Sequence, residues 1–422
     1  MRILFVTPYP PSRVRVRSYG FLKQLQRSHE VSVMLLCRSE RELADVEKLR
    51  SQGYDVMVVR ESRLWAILRS GLALASSRSL HVAYAKSARF TQSLHHLCTQ
   101  RHFDVVHVEH LRGIAAMELI AHNYPLVWDA VDCISLLYKQ AIVAGPSLPI
   151  RAVALLEHKR TQSYEAKMLS KLQHVVVTSE RDRQAMIDLR RLQTEDVTSD
   201  DTQLGSAITV LPNGVDLEYF YPVQQERKRF NLVFSGKMNY HPNVATVLHL
   251  YQRIMPLIWE RRPEATLTIV GAEPVEEIQR LASDPRVEVT GYVGDMRPYI
   301  RRAEVMLCPM VYSTGIQNKV LEAMALGTPT VVTAQTAEAL SAYPNRDLLI
   351  AETPQQFADA TLHLLEHAAL RATLSQYGRA YVEQHHDWQV TTDRLVNIYQ
   401  HAIATCARKD LPLLSVEQAL LL

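Results

Sequence analysis

A lysine and a glutamate three residues apart, Lys319 and Glu322, follow an apolar run and a glycine loop. The stretch reads Val305–Cys308, Pro309, then, after a short loop, Gly315-Ile316-Gln317-Asn318-Lys319-Val320-Leu321-Glu322-Ala323-Met324-Ala325-Leu326-Gly327-Thr328-Pro329. A helix beginning near Gln317 turns its unpaired N–H groups and the positive end of its dipole toward the loop, which suits a diphosphate. Lys319 in the first turn is disfavoured by that dipole until a bound phosphate removes the conflict. Glu322 lies on the same face, and a carboxylate there can accept two hydrogen bonds from a ribose diol. Gly315 lets backbone approach a ligand closely. The same spacing also fits an exposed Lys–Glu pair on an ordinary surface helix.

A second cluster stands at the end of the apolar run Leu232–Phe234, in Ser235-Gly236-Lys237-Met238-Asn239-Tyr240-His241-Pro242-Asn243. Ligands of open α/β sheets bind at the carboxyl ends of strands. Gly236, next to Ser235, permits close approach there, and Lys237 offers a point charge to phosphate. Gly271, directly after Leu267–Val270, belongs to the same set, and Val289-Thr290-Gly291-Tyr292-Val293-Gly294-Asp295 is placed to flank a base or a sugar ring through Tyr292 and Val293.

The first half offers different chemistry. After Ile3–Val6 comes Thr7-Pro8-Tyr9-Pro10-Pro11-Ser12-Arg13-Val14-Arg15-Val16-Arg17. Arginine forks suit phosphate or carboxylate, so Arg13, Arg15 and Arg17 are expected to contact the same diphosphate or a second, phosphate-bearing substrate; an amphipathic edge with solvated arginines is the plainer alternative. Asp104-Val105-Val106-His107-Val108-Glu109-His110 brings two histidines and a glutamate to a strand end, and Asp132 lies just past Leu126–Trp128, where it can hold acceptor hydroxyls or cap a helix. Glu165 is read as a solvated or structural carboxylate.

These residues need strands to carry them. Short apolar runs alternate with helical patterns throughout, the pattern of βαβ units and parallel sheets. Strands are expected at 3–6, 31–36, 56–59, 105–108, 126–128, 175–177 and 208–211, then at 232–234, 267–270, 287–290, 305–308, 330–332 and 348–350. Helices fill the gaps, Tyr164–Leu172 and Val244–Ile258 among them. The turn at Leu211-Pro212-Asn213-Gly214-Val215-Asp216 divides two such stacks. The expected domains are residues 1–212 and 213–389, with a terminal helix of about 390–422 packing back on the first. The polar stretch Thr194–Ser206 is expected to be a surface loop.

Composition narrows the function. With 422 residues, 47% of them hydrophobic, the chain can bury two cores. Charge is balanced, 47 Lys plus Arg against 44 Asp plus Glu, which disfavours a nucleic-acid binder. The first forty residues are more basic, so a local surface can meet phosphates or anionic headgroups. Five scattered cysteines form neither a disulfide framework nor a zinc site and fit a reducing cytosol. No apolar run reaches membrane-spanning length; Leu64 to Ala75 comes closest, interrupted by Arg69. The chain is therefore expected to be cytoplasmic, or at most peripheral at the inner face of the membrane. No GxGxxG follows a strand and no GxxxxGK[ST] occurs, which disfavours dinucleotide oxidoreductases and phosphate-loop ATPases. No Asp-X-Asp and no metal-spaced set occurs, so neither a metal nor a cofactor is expected.

Ser235-Gly236-Lys237-Met238, the Gly291-Tyr292-Val293 loop and the Lys319…Pro329 run, in this order, resemble the donor half of the group 1 (family four) glycosyltransferases, and Val210-Leu211-Pro212-Asn213-Gly214-Val215-Asp216 resembles their interdomain signature. The resemblance is strong in the second half and weaker in the first. It implies a GT-B fold, two Rossmann-like α/β domains facing a central cleft, with the acceptor on the first and the nucleotide sugar on the second. It implies transfer from a UDP- or GDP-linked donor to a sugar or lipid-linked acceptor, with retention, in bacterial polysaccharide, glycolipid or glycoconjugate synthesis. It places an active-site histidine at His107 or His110. The catalytic candidates are then His110, His107, Asp132 and Lys237. The donor candidates are Ser235, Gly236, Lys237, Gly271, Tyr292, Val293, Thr314, Gly315, Ile316, Gln317, Asn318, Lys319 and Glu322. His385-His386-Asp387-Trp388 and the helix to Ala407 resemble the family's terminal helix; the apolar tail Leu411–Leu422 is expected to pack or to touch a membrane.

Two departures stand out. The family's donor helix carries paired glutamates, the first eight residues before the second; here that first position is Thr314, which leaves the donor sugar open. Where a second basic residue often follows Lys237, the chain reads Tyr240-His241-Pro242-Asn243, and Lys319 is inferred to supply the charge. Two rival readings remain: a nucleotide-sugar 2-epimerase of the same fold, and a non-catalytic nucleotide-sugar-binding protein with a degenerate site.

Overall fold

Thirteen short strands form two parallel sheets in the computed structural model, which describes residues 1–117, 124–192, 207–224 and 226–407, apart from the side chains of Arg41 and Ala407. The polar stretch 194–206, with Asp200 and Asp201, and the tail 411–422 lie outside the described residues.

The chain divides into two compact units, Met1–Tyr138 with Leu156–Leu211 and Trp388–Leu422, and Lys139–Leu155 with Pro212–Asp387. The first holds β1 (Arg2–Thr7), β2 (Glu30–Cys37), β3 (Asp55–Arg60), β4 (Val105–Glu109), β5 (Leu126–Val131), β6 (Val175–Val177) and β7 (Ile208–Val210), in the order β3-β2-β1-β4-β5-β6-β7. The second holds β8 (Asn231–Ser235), β9 (Thr266–Val270), β10 (Val287–Val289), β11 (Val305–Cys308), β12 (Thr330–Val332) and β13 (Leu349–Ile350), in the order β10-β9-β8-β11-β12-β13. Every pairing is parallel. In each sheet the order reverses once, between β1 and β4 and between β8 and β11. Such a reversal opens a crevice beyond the strand ends.

Helices cover both faces of the first sheet, so its strands are apolar on both sides. Leu4, Val6, Val106 and Val108 face one core. Ile3, Phe5, Val33 and Val105 face the other. This second face is closed by the helix Val16–Leu25 and by the last described helix, Trp388–Ala407, through Trp388, Leu395 and Tyr399. A single core fills the second unit, with Leu232, Phe234, Leu307, Val320 and Val331 at its centre.

Two helix expectations are corrected. The helix ending near Leu172 begins at Leu148. The helix expected over Val244–Ile258 is interrupted by a π segment, Leu250–Ile254, ahead of Pro256. Proline supplies no N–H to the helix ladder, and the wider turn accommodates the gap.

Candidate functional site

In the second unit the loops after β8, β9 and β11 are neighbours, because those strands are adjacent at the reversal. Two glycines let the first two loops touch. The Gly236 amide donates to the Val270 carbonyl at 3.0 Å, and the Met238 amide to the Ala272 carbonyl at 2.9 Å. A Cβ on Gly271, at φ +151°, would lie 1.7 Å from the Gly236 carbonyl oxygen. No other residue fits there.

The third loop ends in the helix Asn318–Ala325, with Gln317 before it. Lys319 is buried in its first turn. Its Nζ donates to Asn243 Oδ1 at 2.8 Å and Gln317 Oε1 at 3.2 Å, and stands 5.1 Å from the Phe234 ring centre. Asn243 in turn donates to the Lys237 carbonyl at 2.9 Å. A Cβ on Gly236 would meet Asn243 Nδ2 at 2.7 Å and Lys319 Cε at 3.3 Å. Gly236, Asn243 and Lys319 therefore converge. Burial lowers the Lys319 ammonium, while the charge of Glu322 partly offsets it. Glu322 is half-buried, and burial pushes its carboxyl up to about 7.

The other second-unit candidates are placed as follows. Lys237 is exposed and pairs with Glu273 at 3.1 Å. Ser235 and Thr314 are buried, and their hydroxyl oxygens have no hydrogen-bond partner among the described residues. Gly315 takes φ +60°, in the left-handed region. Ile316 is buried in the core. Asn318 accepts from Asn213 Nδ2 at 2.8 Å. Tyr292 and Val293 follow β10, the edge strand, with Tyr292 exposed and Val293 packed on the core. Their loop is pinned by the Arg297–Asp295 pair at 2.7 Å. Sequence reasoning passed over Asn243 and Glu273. Asn243 stood at the end of the stretch where no cation was found, and the fold makes it the partner of one.

In the first unit the ends of β1 and β4 meet at the reversal. Thr7 Oγ1 donates to Glu109 Oε2 at 3.1 Å. Burial, and then the charge of Asp129, push Glu109 up to about 7. The backbone is strained at two strand ends: His110 and Val131 both take φ 68°. A β-branched residue rarely adopts that conformation, and such strain clusters at functional sites.

His110 is half-buried, stacks on His81 at 5.6 Å and accepts from the Arg112 amide at 3.3 Å. Burial and then Arg112 hold it down to about 3, so it is neutral at pH 7. His107 does not present itself at the strand end. It is fully buried, its Nδ1 bonds the Tyr399 hydroxyl at 2.9 Å, and it stacks on Phe5 at 4.2 Å. That corrects its place among the candidates.

The three arginines part company, which corrects the expected common anion site. Arg13 is exposed. Arg15 pairs with Glu42 at 3.1 Å and lies over the Tyr9 ring at 4.2 Å. Arg17 is buried, with Nε on Asp129 at 2.6 Å and Nη1 on the Leu211 carbonyl at 3.1 Å. Asp132 accepts from Thr178 at 3.2 Å, and burial with the charge of Asp182 pushes it up to about 7. It does not cap the helix Ile134–Ala144. Asp182 takes the Cys133 amide, and Glu165, fully buried, takes those of Ile134 and Ser135 at 2.8 and 3.1 Å. Glu165 is thus a structural cap and not solvated. Among the described residues no cluster of three His, Cys, Asp or Glu could hold a metal, and no helix is long and apolar enough to cross a membrane.

Comparison with known proteins places this geometry. Residues 229–367 match the family model "Glycosyl transferases group 1". A "GDP-mannose-dependent monoacylated alpha-(1-6)-phosphatidylinositol monomannoside mannosyltransferase" of Corynebacterium glutamicum is 28% identical over 45% of this chain and 55% of that protein. A "Phosphatidyl-myo-inositol mannosyltransferase" of Mycobacterium leprae is 27% identical over 49% of this chain and 56% of that protein. The matched stretches thus span little more than half the length of either relative. Among solved structures, Anabaena Alr3699/HepE in complex with UDP superposes with a TM-score of 0.65 at 13% identity, over 95% of this chain and all of that one. The fold, two parallel-sheet α/β units, is GT-B.

Proposed function

We propose that this chain is a retaining glycosyltransferase that takes its sugar from a UDP- or GDP-linked donor bound by the second unit. One observation carries the reading. A buried ammonium, Lys319, and a half-buried carboxylate, Glu322, stand on the first turns of a helix that opens at the strand-order reversal, beside the abutting glycines Gly236 and Gly271. In this reading Glu322 accepts from the ribose hydroxyls. Lys319 and the loop N–H groups hold the diphosphate, with Lys237 as an outer charge. As the glycosidic bond breaks, negative charge grows on the diphosphate and these groups stabilise it. They supply the charge without a metal. No carboxylate stands among the donor candidates except Glu322, which is assigned to the ribose, so substitution on the same face of the sugar is favoured over a covalent intermediate.

The acceptor is assigned to the first unit, with His110 and Asp132 as the candidate contacts. The two mannosyltransferases are named for phosphatidylinositol-based acceptors, which makes a lipid-linked acceptor the first to try. Thermal shift with UDP, GDP, ADP and their sugars tests the reading. Stabilisation by one diphosphate nucleotide, lost in Glu322→Ala, is expected. Transfer to an acceptor in EDTA, with the anomeric configuration of the product read by NMR, tests the rest. Epimerisation of the sugar without glycoside formation would assign the rival chemistry, and binding without turnover would assign a binding protein.

A further inference from the structure

The helix Arg63–Ala73 is built inside out. Its inward positions are Ala66, Arg69, Ser70 and Ala73, at the spacing of one helical face. Ala66 and Ala73 are buried. Arg69 is held by Glu61 in a two-pronged pair, both contacts at 2.8 Å, and Ser70 donates to the carbonyls of Ala66 and Leu80 at 3.1 and 3.3 Å. The outward positions are Leu64, Trp65, Ile67, Leu68 and Leu72, all exposed, followed by exposed Leu74. Small and polar groups thus face the protein while the large apolar ones face away. A contiguous apolar face of this kind marks an interaction site.

The surrounding charge identifies the partner. From Ser62 to Phe103 the sequence contains six Lys or Arg and no Asp or Glu. Arg69 and Arg101 pair with Glu61 and Asp55. Arg63 opens the helix and Arg78 lies at its far end, where Arg160 bonds the carbonyls of Ala73, Leu74 and Arg78; both arginines are exposed, as are Lys86 and Arg89 further along the chain. At about 1.5 Å per residue the helix is far too short to span a bilayer, yet long enough to lie in its surface. Leucines with a tryptophan on one face and cations around it match a helix seated at the headgroup boundary of an anionic membrane.

We propose that this outward face docks the protein onto anionic lipid bilayers, with Leu64, Trp65, Leu68 and Leu72 entering the acyl boundary. The proposal is independent of the chemistry assigned above and stands whether or not the chain transfers sugar.

The protein supplies its own probe. Of its four tryptophans, Trp128, Trp259 and Trp388 are buried and only Trp65 is exposed, at 63%. Trp65 emission is recorded with vesicles of phosphatidylcholine alone and of phosphatidylcholine with one third phosphatidylglycerol. With the anionic vesicles the emission is expected to shift to the blue and to be quenched by brominated acyl chains, with binding at least tenfold tighter than to neutral vesicles and weakened by salt. Leu68→Glu with Leu72→Glu is expected to abolish binding while leaving the thermal midpoint in place, since those side chains touch no core. Each of Arg63→Gln and Arg78→Gln is expected to weaken binding roughly fivefold on anionic vesicles alone. No shift with anionic vesicles overturns the proposal. So does a Trp65 spectrum already blue in solution and unmoved by lipid, or a Trp65 shift that follows protein concentration; those results assign the face to a covering segment or to a second copy of the chain.

Discussion

At the scale of single residues, Lys319 and Glu322 carry the sharpest expectations. Lys319→Met replaces a buried ammonium with an apolar chain of similar length. Its thermal midpoint is expected to hold or rise, while stabilisation by the cognate nucleoside diphosphate falls by about 10–100-fold in affinity, the worth of a charged hydrogen bond. A parallel loss of fold and binding would make Lys319 structural. Glu322, pushed up to about 7 by burial, is expected to make donor binding pH-dependent. The ionised form accepts both ribose hydroxyls, so affinity falls as pH drops from 8 to 5.5, and Glu322→Gln removes the slope. Isothermal titration at three pH values reads it.

Glu109 acts on stability with the sign of a raised carboxyl. The folded chain holds its proton more tightly than the unfolded chain does. The contribution is present in full below about 4.5 and is lost as pH rises toward about 7. The unfolding free energy from urea titrations is expected to fall between pH 5 and pH 8 by about 1–3 kcal/mol, and Glu109→Gln to flatten that fall. Asp132 and Glu165 act in the same direction, so the residual slope in the variant measures them.

At the scale of elements, the sequence was most readable where structure is local. All strands but one appear within a residue or two of their apolar runs, because parallel strands buried on both faces need little but apolar side chains; β5 runs three residues past Trp128 to Val131. The glycine loop, Lys319 and Glu322 were legible for the same reason: one turn of helix fixes their spacing. The arginines were misread because alternation shares a face only in a strand. The chain turns at Arg15 into the helix that starts at Val16, so positions 13, 15 and 17 diverge. Asn243 was not legible, since its role exists only once β8 and β11 lie side by side. Here too belongs Gly271, whose missing side chain lets two loops touch. Gly271→Ala is expected to cost about 2–4 kcal/mol through a backbone collision and to abolish nucleotide binding. A wild-type midpoint in the variant would show that the loops can part.

At the scale of the molecule, the first unit is discontinuous. The helix Trp388–Ala407 closes one face of its sheet, with Trp388 seated where Gly20 leaves room: a Cβ there would meet the indole at 2.1 Å. A chain ended at Asp387 is expected to lose cooperative unfolding of the first unit while the second still melts as one, which calorimetry would resolve. Two unchanged transitions would mean that the helix adds nothing.

The same helix sets a timetable on the ribosome. The face around Ile3, Phe5 and Val33 is synthesised first and covered last. About 190 residues, those between Leu211 and Ala402, must follow before the cover arrives. At about 5–20 residues per second that is roughly 10–40 s of exposed apolar surface on a nascent chain, far longer than the sub-millisecond collapse that would hide it in a contiguous domain.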